Sequence, residues 1–149
     1  TGRIFSDEKG VCKVKRDMDL VRNILIRAEL SDGPLGLDDF MPAARVAVPD
    51  KEPEALASMV WYHLGLLDAQ DMIDCRLLQS DDGSIRRADV YGLTWDGQDF
   101  LDALRDDSVW EKTKRAVRES VGSTTFEVVK RTAVDVATRM ALGAVAGMF

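Results

Sequence analysis

The chain has 149 residues, 46% of them hydrophobic, which suits one compact core and lies outside the composition of disordered chains. Its 20 basic and 26 acidic residues leave a net charge of -6, the wrong sign for nucleic-acid binding driven by overall charge. Cys12 and Cys75 are too few and too far apart for a disulfide framework or a zinc site. No run is both long and apolar enough to span a bilayer. We therefore expect a cytoplasmic protein with no cofactor and no membrane partner.

The first 30 residues divide into an irregular segment and a helical one. Residues 1–14 mix charge, glycine and isolated apolar residues without a period, so we expect a flexible N-terminal arm. From Lys15 to Leu30 the apolar residues recur at helical spacing, and Asp17 and Asp19 lie where a helix N-terminus favours negative charge. This pattern predicts the first helix.

The segment after this helix gives a weaker signal. Gly33 and Pro34 supply a turn that ends the helix. Leu37–Phe40 can form one turn of helix, whereas Ala43–Val48 is typical of a short strand. We therefore expect the second helix of a helix-turn-helix to be weak or missing.

The central stretch, Pro53 to Ile73, predicts a buried helix that leads directly into a β-hairpin. The hairpin strands, Ile73–Leu78 and Ile85–Leu93, flank a turn that contains glycine. A helix, a hairpin and a further helix form the layout of a winged helix-turn-helix, in which the hairpin is the wing. The residues predicted to face inward on the central helix are Leu56, Met59, Val60, His63, Leu64 and Leu67.

Helices are also predicted after the wing. Thr94 can cap one helix, and Ser108 with Glu111 forms a capping-box pattern before another. Trp95 and Trp110 are interpreted as core residues or as contacts between the last helices. The predicted fold class is mainly α with a small β wing, namely a winged-helix domain over residues 15–107 and a C-terminal helical extension over 108–149. The last helix presents candidate packing or dimerisation residues: Phe126, Val129, Ala133, Ala137, Met140, Ala141, Gly143 and Gly147.

Three stretches carry a family resemblance. They read KRDMDLVR at Lys15–Arg22, WYHLGLLDAQDMI at Trp61–Ile73 and LTWDGQDFLDALRDDSVWEKTK at Leu93–Lys114. In this order they resemble an uncharacterised bacterial and phage family, a domain of unknown function. The resemblance implies a small winged-helix protein, often carried on mobile elements, with no established biochemical activity.

The charge around the central helix argues against DNA reading. Tyr62-His63-Leu64 is similar to the recognition helices of small winged-helix repressors, but the basic positions that follow in those proteins correspond here to Gly65 and Asp68. Between residues 50 and 82 the chain has eight acids and two bases. The candidate DNA-binding residues are Arg86 and Arg87, which could contact a minor groove from the wing or could simply be solvated strand residues.

The outer side of the central helix favours protein contacts. Its candidate partner-binding residues are Ser58, Trp61, Tyr62 and Asp68, with one of the two aromatic residues expected to be packed. His63 is interpreted as a hydrogen-bonded core residue, and no nucleophile-base pair accompanies it, so we do not expect an enzyme.

These patterns lead to two hypotheses. The first is a winged-helix regulatory or interaction module of a bacterial or phage mobile element that binds protein and self-associates as a homodimer. An acidic centre and an excess of three positive charges over residues 110–139 could also steer head-to-tail or domain-swapped association, although alternating helix charges are commonly only solvated. The second hypothesis is a sequence-specific DNA-binding repressor.

Overall fold

The chain is mainly helical with one small antiparallel sheet, as the sequence predicts. A computed structural model describes residues 15–119 and 125–146, with backbone only for 145 and 146. The predicted arm over 1–14 and the candidate residue Gly147 lie outside the described residues. The elements are α1 (Met18–Glu29), α2 (Met41–Ala47), α3 (Pro53–Ala69), β1 (Ile73–Gln79), β2 (Arg86–Leu93), α4 (Trp95–Leu104), α5 (Asp107–Glu119) and α6 (Phe126–Ala146).

The chain divides into two compact units, Thr1–Gln98 and Asp99–Phe149. The division falls within α4, nine residues before the predicted boundary at 107. In the first unit α1 packs against α2, α3 and β2, while α3 packs against α2 and β1. The fully buried side chains that fill this core include Leu20, Ile24, Leu25, Phe40, Leu56, Leu64 and Leu67. The apolar faces predicted for the first and central helices therefore meet in one core.

The N-terminus of α1 is capped by its own sequence. Asp17 has extended backbone dihedrals, and its carboxylate accepts a hydrogen bond from the Leu20 N–H at 3.1 Å. This bond satisfies one of the donors that every helix leaves free at its first turn. The helix ends where the Leu30 N–H bonds back to the Ile26 carbonyl.

The strand predicted over Ala43–Val48 is wrong, because those residues form most of α2. A 3₁₀ turn at Leu37–Phe40 leads straight into this helix. Pro42 lies in the first turn of α2, where backbone N–H groups have no acceptor within the helix. The absence of an N–H on proline therefore costs no helical hydrogen bond. Ala44 is buried against the core, so packing overrides the strand preference of the valines. A helix is thus present where the sequence predicted a weak or missing one.

Three residues separate the end of α3 from the first strand of the hairpin. Asp71 adopts a left-handed conformation with φ of 56°, and the Met72 N–H returns to the Leu67 carbonyl at 2.9 Å. The strands then pair antiparallel from Ile73↔Leu93 to Gln79↔Arg86. Leu35 forms an isolated antiparallel β-bridge with Val90 of β2 through two backbone hydrogen bonds. The hairpin is therefore tied to the segment before α2 as well as to α3.

The join between α3 and α4 leaves no space for a side chain. The Thr94 hydroxyl accepts from the Gly97 N–H at 3.0 Å and donates to the Asp71 carbonyl at 2.6 Å, which confirms Thr94 as the cap of α4. A Cβ on Gly97 would overlap the Met72 carbonyl oxygen and lie 2.8 Å from its carbonyl carbon. The first turn of α4 therefore packs on the Met72 backbone itself.

Trp95 is not a core residue, contrary to the prediction: its side chain is 82% exposed. The buried face of α4 contains Gly97, Phe100, Leu101 and Leu104, and Trp95 lies on the opposite side of the helix. Trp110, in contrast, is buried as predicted.

In the second unit α5 packs against α6. Phe100 and Phe126 meet edge to face with ring centroids 5.5 Å apart. The Asp106 carboxylate caps α5 by accepting from the Val109 N–H at 3.0 Å, so the helix starts earlier than the predicted Ser108 box implies. The Thr125 hydroxyl accepts from the Val128 N–H at 3.1 Å and caps α6.

The candidate dimerisation residues of α6 fall into two groups. Phe126, Val129 and Ala133 are buried within the chain, so a second copy could reach them only if the unit opened. Ala137 and Met140 are half-buried, and Ala141 and Gly143 are exposed. Dimerisation through the C-terminal half of α6 stays a prediction.

Candidate functional site

An uncharged strip runs along the outer side of α3. Its members are spaced alternately by three and four residues, which places them on one face of the helix, away from the buried leucines. All of them are exposed or half-exposed, and a Cβ built on Gly65 would meet no atom within 4 Å. We call this set the α3 strip; it comprises Ala55, Ser58, Tyr62, Gly65 and Ala69.

The flanks of the α3 strip are acidic. Glu54 lies exposed in the first turn of the helix and Asp68 is exposed near its end. Neither lysine nor arginine occurs anywhere on α3, and its only histidine is completely buried. A DNA-reading helix needs cations close to phosphates, so this surface has the wrong chemistry for that task.

Trp61 does not belong to the exposed surface, contrary to its prediction as a partner contact. It is 6% exposed, and the Arg86 guanidinium lies 5.8 Å from its ring centroid in a cation–π contact. Arg86 Nη1 also donates to the Ser58 hydroxyl at 3.2 Å. The structure thus brings together Ser58, Trp61 and Arg86, and the cluster fastens the wing to α3.

The two arginines predicted to bind DNA point to opposite sides of the hairpin. Arg86 faces α3, whereas the Arg87 side chain is 70% exposed and pairs with Asp89 at 3.3 Å. Successive strand residues point to alternate faces of the hairpin, so Arg86 and Arg87 cannot both contact a ligand on the same face. Only Arg87 is available to an external ligand, and its charge is already partly neutralised.

We expect Arg86→Ala to lower the free energy of unfolding by about 1–2 kcal/mol, because it removes a cation–π contact, a hydrogen bond and the cover over Trp61. Arg87→Ala is the matched control on the next residue and should change stability by less than about 0.5 kcal/mol. Urea unfolding followed by circular dichroism measures both. Equal effects would contradict a structural role for Arg86.

The wing tip carries a permanent negative charge. The Asp82 carboxylate accepts from the Ser84 N–H at 2.9 Å and from the hydroxyls of Ser84 and Ser80 at 2.7 and 2.8 Å. These bonds, that from the Ser84 backbone first, lower the pKa of Asp82 to about 2. Gly83 supplies the positive φ of 76° that closes this turn. The tip therefore repels phosphate at any physiological pH.

His63 joins α3 to the start of α1. The Asp17 backbone N–H donates to His63 Nε2 at 2.8 Å, so Nε2 must be an acceptor. The proton then lies on Nδ1, which donates to the Met59 carbonyl at 2.7 Å. Burial lowers the pKa of His63, which favours this neutral form. The histidine is a hydrogen-bonded core residue, as predicted, with both ring nitrogens occupied.

Cys75 is an inert thiol. Burial, together with the charge of Asp68 and a hydrogen bond to it, raises the pKa of Cys75 to about 12. At pH 8 we expect iodoacetamide to alkylate it about 1,000-fold more slowly than a free thiol, because the thiolate fraction is lower by that factor. Mass spectrometry on a Cys12→Ser background measures the rate. Asp68→Asn should raise the rate, and denaturation should restore that of a free thiol; a fast native reaction would contradict the expectation.

Metal ligation and membrane spanning find no support among the described residues. Across 15–119 and 125–146, no three His, Cys, Asp or Glu side chains lie close enough to hold a metal ion together. Over the same ranges no helix has the length and hydropathy needed to cross a membrane.

Comparison with known proteins places the chain in a family. Residues 15–124 match the model of the family described as "Hypothetical protein (DUF2513)". The chain belongs to this family. An uncharacterized protein of Haemophilus influenzae is 26% identical over 129 residues, which cover 85% of this chain and 98% of that protein. No solved structure matches the chain. The resemblance to an uncharacterised domain family is thus confirmed.

The stretches that carry the DUF2513 resemblance hold elements together. Asp17 in the first stretch caps α1 and meets His63 from the second. Thr94 and Gly97 in the third fix the start of α4 on Met72. The candidate residues predicted from the sequence did not include Ala55, Gly65 and Ala69 of the α3 strip; their three- and four-residue spacing from Ser58 and Tyr62 was the available signal.

Proposed function

We propose that this chain is a winged-helix interaction module of a bacterial or phage mobile element, and that it works by binding protein, including further copies of itself. The observation that carries the proposal is the α3 strip, which occupies the position of a recognition helix and contains no charged side chain. The order of α1, the Leu35 bridge, α2, α3 and the hairpin supports the winged-helix assignment.

Electrostatics favours protein over DNA as the ligand. Residues 15–98 contain nine basic and sixteen acidic residues, a net charge of -7. Phosphate neutralisation supplies most of the sequence-independent affinity of DNA-binding proteins, and this unit would repel phosphate instead. The acidic wing tip at Asp81 and Asp82 adds repulsion where a wing would meet the minor groove.

The shape of the α3 strip suits a partner helix. The small residues Ala55, Gly65 and Ala69 allow a second backbone to approach closely, and the three-and-four spacing matches the seam of a coiled coil. Tyr62, half-exposed at the centre, provides one large amphipathic anchor of the kind that dominates protein interfaces.

Site-specific crosslinking tests this proposal in the producing cell. Benzoyl-phenylalanine replaces Tyr62 in one variant and Tyr91, an exposed aromatic residue on the outer face of the wing, in a control. We expect irradiation to give a discrete protein adduct from position 62 alone. Gly65→Arg fills the open space of the α3 strip and should abolish this adduct. Adducts that are equal at both positions, or that survive Gly65→Arg, would contradict the proposal.

The alternative is a sequence-specific DNA-binding repressor. It is favoured by Arg76 and Arg87, two exposed cations on the outer face of the wing. Fluorescence anisotropy with duplex from upstream of the gene separates the two functions. The protein-binding proposal predicts no salt-sensitive binding at low ionic strength, and binding that Arg76→Ala with Arg87→Ala abolishes would favour the repressor.

A further inference from the structure

The exposed side of α5 carries three cations without a carboxylate partner among the described residues. Lys112, Arg115 and Arg118 are all exposed and lie away from the buried residues Val109 and Trp110. Their spacing of three residues keeps them on adjoining parts of one helix surface. We call them the α5 basic strip.

Neighbouring cations of the same unit are already engaged, which makes the strip distinct. Lys114 pairs with Glu111 at 3.2 Å and lies 5.5 Å from the Trp110 ring centroid. On α6 both arginines form pairs within the helix, Arg131 with Glu127 and Arg139 with Asp135. Lys130, half-buried on α6, is a further described cation of this unit without an ion pair, so three of the unit's four unpaired described cations lie on the outer side of α5.

The first unit carries the complementary charge. Asp50, Glu52 and Glu54 are exposed in the loop that leads into α3 and over its first turn, and no described cation lies within ion-pair distance of them. We call these three residues the acidic loop. Lys51 is exposed within the same loop, so the loop has a net charge of -2 against +3 on the α5 basic strip, and one chain contains both surfaces.

We propose that the α5 basic strip of one copy binds the acidic loop of a second copy, so that the chain self-associates head to tail. The inference rests on the proposal that the chain acts through protein contacts, and it names the partner. A head-to-tail contact uses two different surfaces, so a pair of copies still has one free strip, on one copy, and one free loop, on the other. Association therefore continues into rings or open chains instead of stopping at a symmetric dimer.

Such a contact depends strongly on salt. Single ion pairs between exposed side chains are weak, so the contact needs several acting together. Screening shortens the reach of each charge to about 10 Å at 0.1 M salt and to about 3 Å at 1 M. Two copies with a net negative charge repel one another overall. Only the attraction between the α5 basic strip of one copy and the acidic loop of the other favours a specific orientation.

Sedimentation velocity of the full chain tests the proposal at about 50 and about 500 mM NaCl, where we expect self-association at the lower salt and at least a tenfold weaker apparent Kd at the higher. The strip variant (Lys112→Glu, Arg115→Glu, Arg118→Glu) and the loop variant (Asp50→Lys, Glu52→Lys, Glu54→Lys) should each be monomeric. An equimolar mixture of these two variants should associate again, because acidic strips then meet basic loops. Thermal unfolding verifies that each variant is folded.

The matched control separates this contact from overall charge. Lys15→Glu, Arg45→Glu and Arg76→Glu reverse three exposed cations outside the α5 basic strip and give the same net charge as the strip variant. This control should still associate.

A wild-type chain that is monomeric at low salt, an equal loss in the control, or a mixture that stays monomeric would each overturn the proposal. Duplex DNA bound by a monomeric wild type and released by the strip variant would assign the strip to nucleic acid instead. If the chain binds protein but not through this head-to-tail contact, these tests fail while the crosslink from position 62 is still obtained.

Discussion

Gly97→Ala is expected to lower the free energy of unfolding by about 3 kcal/mol or more, the upper range for overpacking. The added Cβ would overlap the carbonyl oxygen of Met72 and lie 3.2 Å from its Cα. Both are backbone atoms, so no side-chain rotation can relieve the overlap. The Thr94 bonds to Asp71 and Gly97 hold the two segments together at this point and must be disturbed as well.

Gly65→Ala is the matched control for this substitution. Gly65 lies inside α3 with open space around its Cβ position, so alanine adds helix propensity without a clash. We expect a gain of about 0.5–1 kcal/mol. Urea unfolding of both variants gives opposite signs if the close approach at Met72 is real. A Gly97→Ala chain as stable as the wild type would refute it.

His63→Ala is expected to cost about 3 kcal/mol or more, because it opens a cavity and leaves the Asp17 N–H without its acceptor. The lost bond also loosens the join between α1 and α3, whose partners are 46 residues apart in the sequence. Tyr62→Ala, on the half-exposed side of the same helix turn, should cost clearly less. Urea unfolding measures both variants, and equal losses would show that His63 has no special structural role.

The stability of the wild type should also depend on pH through His63. Burial lowers its folded pKa below 6.5, so the unfolded chain takes up a proton at a pH where the native chain does not. Stability is therefore complete above pH 6.5 and falls as the pH drops below that value, by up to about 1.4 kcal/mol per pH unit, until the folded pKa is reached.

His63→Gln isolates this effect, since glutamine can accept a hydrogen bond but does not titrate. Between pH 6.5 and 5 the difference in unfolding free energy between wild type and variant should shrink as the pH falls. Chemical denaturation at each pH measures it. A difference that stays constant across this range would show that His63 is not held neutral by the fold.

The main helices and the hairpin could be predicted because their signals are local. The spacing of apolar residues in α1 and α3 predicts which side of each helix is buried. The glycine-containing turn between two strand-like runs predicts the hairpin. The absence of any cation on α3 is likewise a property of the sequence alone. These features predict the fold class and favour a protein partner without any tertiary contact.

Other assignments failed because they depend on neighbours distant in sequence. Ala43–Val48 has the local preference of a strand, yet α1 and α3 provide the surface on which these residues pack as a helix. Trp61 has the position of a surface anchor, but Arg86 from the wing, on a strand 25 residues later, covers it. Neither partner can be read from a period or from residue preference.

The sequence by itself determined the long helices, the hairpin, the acidic charge of the first unit and the family membership, because apolar periodicity and charge are properties of the residues themselves. Only the tertiary structure decided which side chains are free to bind. It buried Trp61 beneath the half-buried Arg86, placed Arg87 on the opposite side of the hairpin from Arg86, and exposed Trp95. The physical reason is that a residue becomes available or buried according to what a distant segment places against it, and that contact exists only in the folded chain.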